Sequence, residues 1–268
     1  MTIAEQLIPR NISLNVPKLP ALAASKARRI RYAARPPQEF NIIIATDSYK
    51  FSHPFSYPRG LIGMASYIEA RTGGADIIVP FGYQATLQKY LRKPITLAQI
   101  DEAEAFAAAH GEPFNRPVWE HILNEYKGFL PVLIRAVPEG TPVRSGNALV
   151  TIMCTDQYVA ENIFWLCSFL ETFLLRAVWY PSTIATLDRS IKEEMKHFYE
   201  LTGADLNFLP FALHDFGGRG VTCHEQAQIG GAAHTVNFSG SDTVEGITYA
   251  NYWYHAPMAA YSVRATEH

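Results

Sequence analysis

Leu213-His-Asp-Phe-Gly-Gly-Arg-Gly-Val221 decides how the chain is read. An apolar run from Leu209 to His214 predicts a strand that passes through glycines into a helix starting near Thr222. Glycines let backbone amides approach an anion, a helix N-terminus favours negative charge, and Arg219 offers a planar fork for phosphate oxygens. A tight strand-to-helix turn with a surface arginine is the other reading of the same residues. The rhythm then repeats. His234 to Phe238 reads as a strand, Thr243 to Tyr254 as a helix, and Tyr261 to Arg264 as the start of a further strand. Strands and helices alternating with short loops predict parallel βα units, whose chemistry sits in the loops after the strands. The polar clusters fall there: Asp215 to Arg219, Ser239 to Asp242, and Thr266 to His268. Only about 60 residues have this rhythm, whereas an eight-unit barrel needs about 200 or more, so an incomplete barrel or a small open sheet is expected.

Upstream, the patterning predicts a different layer. Asn41 to Ala45 and Met64 to Ala70 read as strands. Pro94 to His110 reads as a helix opened by a Thr96/Gln99 capping box, and Asn115 to Gly128 as a second with Trp119, Ile122, Leu123 and Tyr126 on its apolar stripe. Pro131 to Val137 and Ala148 to Met153 read as strands. A buried helix is expected over about 157–179 and an amphipathic one over 183–201, stopped by Gly203. Residues 1–39 are rich in arginine and lysine and broken by prolines, and read as a flexible basic extension, with a targeting peptide as the alternative. The expected division is 1–39, then a sheet and helix domain over 40–182, then the first part of an α/β barrel over 183–268.

Composition narrows the function. Of 268 residues, 48% are hydrophobic and 18% charged, and the net charge is -2, which suits a folded core and argues against a nucleic-acid binder. Cys154, Cys167 and Cys223 cannot all pair and form no CxxC, which points to a reducing compartment and away from a cysteine zinc site. The most apolar stretch, Ala160 to Tyr180, holds Glu161, Glu171 and Arg176, so it reads as a buried helix rather than a membrane span. No Walker A, G-x-G-x-x-G or HExxH pattern occurs. Taken alone, Ser241-Asp242-Thr243 is an ordinary helix cap or a carboxylate aimed at a ligand, Tyr49 a loop tyrosine or a site residue, and His268 an active-site base or a chain end.

Together these stretches resemble the nicotinamide phosphoribosyltransferase family. The resemblance rests on Asn41-Ile-Ile-Ile-Ala-Thr-Asp-Ser-Tyr-Lys50, Ala136-Val-Pro-Glu-Gly140, Trp179-Tyr-Pro-Ser-Thr-Ile-Ala-Thr186, Leu213 to Val221, Ala233 to Val244 and Tyr261 to His268. It implies an α/β, type II phosphoribosyltransferase-like fold, with a sheet-based N-terminal domain and part of an irregular α/β barrel. It implies formation of nicotinamide mononucleotide and diphosphate from nicotinamide and phosphoribosyl pyrophosphate in NAD salvage. Phe216 and a partner subunit's Tyr49 would stack the base, Asp242 would hold the carboxamide, and Asp47 would lie nearby. Arg219 and Arg71 would bind phosphate, and His268 would be the catalytic histidine phosphorylated from ATP. Mg²⁺ would arrive with phosphoribosyl pyrophosphate. A cytoplasmic homodimer with no nucleic-acid or membrane partner is implied. Family chains are nearly twice as long, so an N-terminal portion with little activity alone is expected. The family's usual proline is Arg264 here, and Gly218 is tyrosine in some relatives. Nicotinate phosphoribosyltransferase and a non-catalytic dimerisation module are the alternatives.

Overall fold

The structure, a computed structural model, describes residues 39–71 and 74–266. From Phe40 onward the chain forms one compact unit. Its first layer is an antiparallel sheet of β1 (Ala65–Glu69), β3 (Val132–Ala136) and β5 (Ala148–Cys154), with β5 central. Ile152 on β5 faces Ser66 on β1 and Ile134 on β3. A second pair, β2 (Ile77–Ile78) with β4 (Val143–Arg144), is also antiparallel. Helices α1 (Tyr83–Tyr90), α2 (Leu97–His110) and α3 (Arg116–Glu125) surround these strands. The α2 start is the expected capping box, in which Thr96 accepts from the Gln99 amide and Gln99 accepts in return from the Thr96 amide. On α3, Trp119 and Ile122 enter the core as the stripe predicts, although the Asn115 side chain makes no capping bond.

The expected strand at Asn41 to Ala45 is instead a hydrogen-bonded turn. Asn41 Oδ1 accepts from the Ile43 amide at 3.0 Å, and its Nδ2 donates to the Gln99 carbonyl and to Glu102. A side chain that satisfies its own backbone competes with strand pairing. Ile42 and Ile43 are nonetheless buried, so the apolar run marks core correctly and the element wrongly.

The helices expected over 157–179 and 183–201 also differ. Short helical turns at Gln157–Asn162 and Leu166–Phe169 lead into one continuous helix, α4 (Glu171–Thr202), which runs through the expected boundary at 182/183. Pro181 sits inside it and cannot bond the Ala177 carbonyl. The segment after β2 docks there: Thr186 Oγ1 accepts from the Val79 amide at 2.9 Å and Ser182 Oγ from the Phe81 amide at 3.1 Å. Gly82, at φ +100°, closes the contact, since a Cβ there would lie 2.4 Å from Pro181 Cγ. Tertiary bonds thus hold the helix where local propensity predicts a break.

In the C-terminal third both expected helices form, whereas the strand expected over His234 to Phe238 does not: His234 ends a helix, the amides of Thr235 to Phe238 donate to carbonyls three or four residues back, and the paired residues come later in the chain. Leu206–Phe211 is a 3₁₀ helix, and β6 contains only His214–Asp215. His234 ends α5 (His224–His234), and β7 is Gly240–Ser241, followed by α6 (Val244–Tyr254). Tyr261 adds a single bridge to Gly240. β6 and β7 are parallel, with His214 opposite Gly240 and Asp215 opposite Ser241. Pro210 explains part of the shortening: it lacks an amide for a ladder, and its carbonyl accepts from Ser239 at 2.7 Å.

Helices α5 and α6 cross through two glycines. A Cβ at Gly246 would lie 2.5 Å from the Gly231 Cα, where the crowding atoms are backbone and nothing flexible can yield. Gly246→Ala is therefore expected to lower unfolding free energy by about 2 kcal/mol. A urea midpoint unchanged from wild type would refute this close packing.

Candidate functional site

The short parallel strands deliver their next residues to one place. After β6 the chain turns through Phe216 into a 3₁₀ turn at Gly217–Gly220. Asp215 Oδ1 accepts from the Gly217 amide at 2.7 Å, its carbonyl accepts from the Asp242 amide at 2.9 Å, and Thr243 Oγ1 accepts from the Gly218 amide at 3.2 Å. The amides of Gly217 and Gly218 are thus engaged within the protein. The Arg219 guanidinium is exposed, and no side chain caps the N-terminus of the helix that follows.

Asp242 leaves β7 with both carboxylate oxygens held. Oδ2 lies 2.9 Å from His214 Nε2, and Oδ1 accepts from the Ser262 hydroxyl. The Ser262 bond, then the His214 bond and the nearby Arg219 charge, hold its carboxyl below the usual carboxylate range despite some desolvation. Asp242 is ionised at neutral pH. The His214 ring packs on Phe216, with centroids 4.6 Å apart. Phe216 is 48% exposed, a large aromatic face without a complete set of neighbours. Beside these residues lies a cavity of about 380 Å³, whose walls include Tyr180, His214, Phe216, Gly218, Gly230 and Thr243. Asp242 reaches that cavity through His214 and does not itself line it.

Phe216, Asp242 and Arg219 are thus brought together within one chain. Asp47 and Tyr49 lie elsewhere. Asp47 accepts from Thr172 Oγ1 at 2.6 Å and lines a second cavity of about 490 Å³ with Glu171, Arg176 and Trp179. Tyr49 is half-exposed beside His53. Tyr180 lines both cavities. Arg71 is exposed after β1, and His268 lies outside the described residues.

Reading the sequence misses His214 as a site residue, and also Asp188 and His234, which line the first cavity. His234 Nδ1 is 2.8 Å from Asp188 Oδ2, and both side chains are buried. Burial alone would lower the histidine pKa, but Asp188, followed by Asp215 and the Gly240 carbonyl, raises it above the usual 6.5. One signal is present in hindsight: Asp188 follows Pro181 and Ala185 on the buried stripe of α4. A raised histidine pKa stabilises the fold fully below the unfolded value of 6.5, and this increment is lost as pH rises through the folded-state value. The urea midpoint is expected to fall over that rise, and Asp188→Asn to flatten the fall. A fall of equal size in the variant would remove this pair as its source.

Comparison with known proteins finds relatives along most of the chain. Residues 41–134 match the family model "Nicotinamide phosphoribosyltransferase, N-terminal domain", and residues 211–268 match "Nicotinate phosphoribosyltransferase (NAPRTase) family". A nicotinamide phosphoribosyltransferase of Xanthomonas campestris pv. campestris (strain 8004) is 47% identical over 229 residues, covering 85% of this chain and 48% of the relative. One from Acinetobacter baylyi is 30% identical over 248 residues, again 85% and 48%. The chain therefore spans about half the length of these curated relatives. Crystalline human nicotinic acid phosphoribosyltransferase superposes with a TM-score of 0.53 at 19% identity, over 82% of this chain and 39% of that one, which shows the shared α/β fold. Among the described residues, no helix is long and apolar enough to cross a membrane.

Proposed function

We propose that this chain, which resembles the N-terminal portion of the nicotinamide phosphoribosyltransferases, supplies the base-binding side of such an enzyme. The reaction would form nicotinamide mononucleotide and diphosphate from nicotinamide and phosphoribosyl pyrophosphate. The observation that carries this reading is the meeting of an exposed aromatic face, Phe216, with an ionised carboxylate, Asp242, at the ends of adjacent parallel strands. The flat pyridine would stack on Phe216, and its carboxamide NH₂ would donate to Asp242. That orients the ring nitrogen toward the sugar C1 at near-attack distance. The C1–diphosphate bond breaks as the C1–nitrogen bond forms, and Arg219 is placed to stabilise charge on phosphate oxygens.

The remaining assignments follow from the same reading. Tyr49, Asp47 and Arg71 would serve a neighbouring subunit's site in a homodimer, and His268 would couple ATP to the reaction. Mg²⁺ would enter as the counter-ion of phosphoribosyl pyrophosphate. Among the described residues no three His, Cys, Asp or Glu side chains converge on a metal position. Free thiols at Cys154, Cys167 and Cys223 support a cytoplasmic setting. An ionised Asp242 favours a neutral carboxamide over the carboxylate of nicotinate.

The test combines the chain with the remaining portion of a relative and follows nicotinamide mononucleotide and diphosphate together. Stoichiometric release of both, abolished when either part is omitted, is expected. Assembly without turnover would favour a non-catalytic dimerisation module.

A further inference from the structure

The Asp188–His234 pair has no part in the reaction proposed above. It joins α4 to the last turn of α5 across 46 residues, and the side chains are 9% and 6% exposed. On its other side, His234 Nε2 is 3.0 Å from the Gly240 carbonyl. A carbonyl only accepts, so Nε2 carries a proton. Nδ1 faces Asp188, to which it donates when the ring is charged, and the raised pKa of His234 favours that imidazolium. Asp188 from α4 and Asp215 from β6 are the acidic groups that favour this charge, and the C-terminal end of α5 adds to it.

Gly240 is the first residue of β7, two residues before Asp242. It is also the floor on which His214 rests, since a Cβ at 240 would lie 2.7 Å from His214 Nδ1. The opposite ring nitrogen of that histidine holds Asp242. A strand only two residues long has few ladder bonds to fix its position. A buried charge pair is a costly way to add one more, unless the position matters.

We propose that Asp188 and His234 are positioning residues that fix the Gly240 carbonyl and so hold Asp242 and His214 in register. The consequence for ligand binding rests on the function proposed above, whereas the placement of Asp242 does not.

The test uses the ¹⁵N-labelled chain and follows the ring signals of His214 and His234, with nicotinamide as the added probe. In Asp188→Asn, a neutral His234 keeps Nε2–H on the Gly240 carbonyl, and its Nδ1 accepts from the introduced side-chain amide. The His214 signals are expected to stay unchanged while His234 loses one N–H; a shift at His214 would overturn the hydrogen-bond route. The double variant Asp188→Leu with His234→Leu replaces both charges by apolar groups, a change that folds tolerate. There the His214 Nε2 proton is expected to exchange roughly tenfold faster or more, as loss of a charge-assisted hydrogen bond implies. Wild-type exchange at His214 in a double variant of undiminished melting temperature would overturn the proposal. If the double variant does not fold, Asp188→Asn with His234→Leu, which leaves no charge unpaired and removes the bond to the Gly240 carbonyl, takes its place under the same two outcomes. Failure of wild type to bind nicotinamide would sink the functional reading and leave the His214 comparison intact.

Discussion

Asp242→Asn, in a protein completed by the portion its relatives carry, is expected to lower catalytic efficiency with nicotinamide and raise the ratio of nicotinate to nicotinamide use. On the function proposed above, the wild-type carboxylate would accept from the carboxamide NH₂ and repel a carboxylate. A hydrogen bond to a charged group contributes roughly 1.5–3 kcal/mol, about tenfold to a hundredfold in affinity. Asparagine keeps the shape, removes the repulsion and presents a donor. His214 can accommodate it, since a neutral ring protonated on Nδ1 offers Nε2 as an acceptor. Asparagine caps helices as well as aspartate does, so a pure capping role predicts no change with either base. Steady-state kinetics with both bases decides this, and an unchanged ratio would exclude Asp242 as the selector.

Phe216→Ala should weaken nicotinamide binding by about 1–3 kcal/mol, the scale of base–aromatic stacking. Stability should barely move. Phe216 is about half exposed, unlike Phe169 or Phe238, whose truncation would open a cavity costing about 3–5 kcal/mol. Melting temperature measured beside ligand affinity separates the two roles. A large drop in melting temperature with affinity retained would make Phe216 a structural residue.

The meeting of Phe216, Arg219 and Asp242 was legible because its parts are local in sequence. Phe216 and Arg219 belong to one turn, and Asp242 ends the next strand. Two strand–turn–helix units in succession place such turns side by side, so their convergence follows from topology. The capping box at Thr96 was legible for the same reason: its two partners are three residues apart. His214 escaped notice because nothing in its immediate neighbours says that Nε2 will meet Asp242, 28 residues later.

Apolar burial was also readable, and the element carrying it was not always so. Ile42 and Ile43 are core residues whichever way the backbone runs, but the Asn41 side chain made the segment a turn. Pro181 marked a break by propensity. Contacts from residues 79–82, about a hundred positions away, kept the helix whole.

Local pattern was enough for the ordering of layers, the glycine turns, the apolar stripes and the motif residues of the site, since each depends on the periodicity or chemistry of neighbours. The lengths of β6 and β7, the continuity of α4, and the buried link from Asp188 through His234 to Gly240 were settled in three dimensions. Those features depend on desolvation and on hydrogen bonds between distant residues, whose energies exist only once the chain has folded.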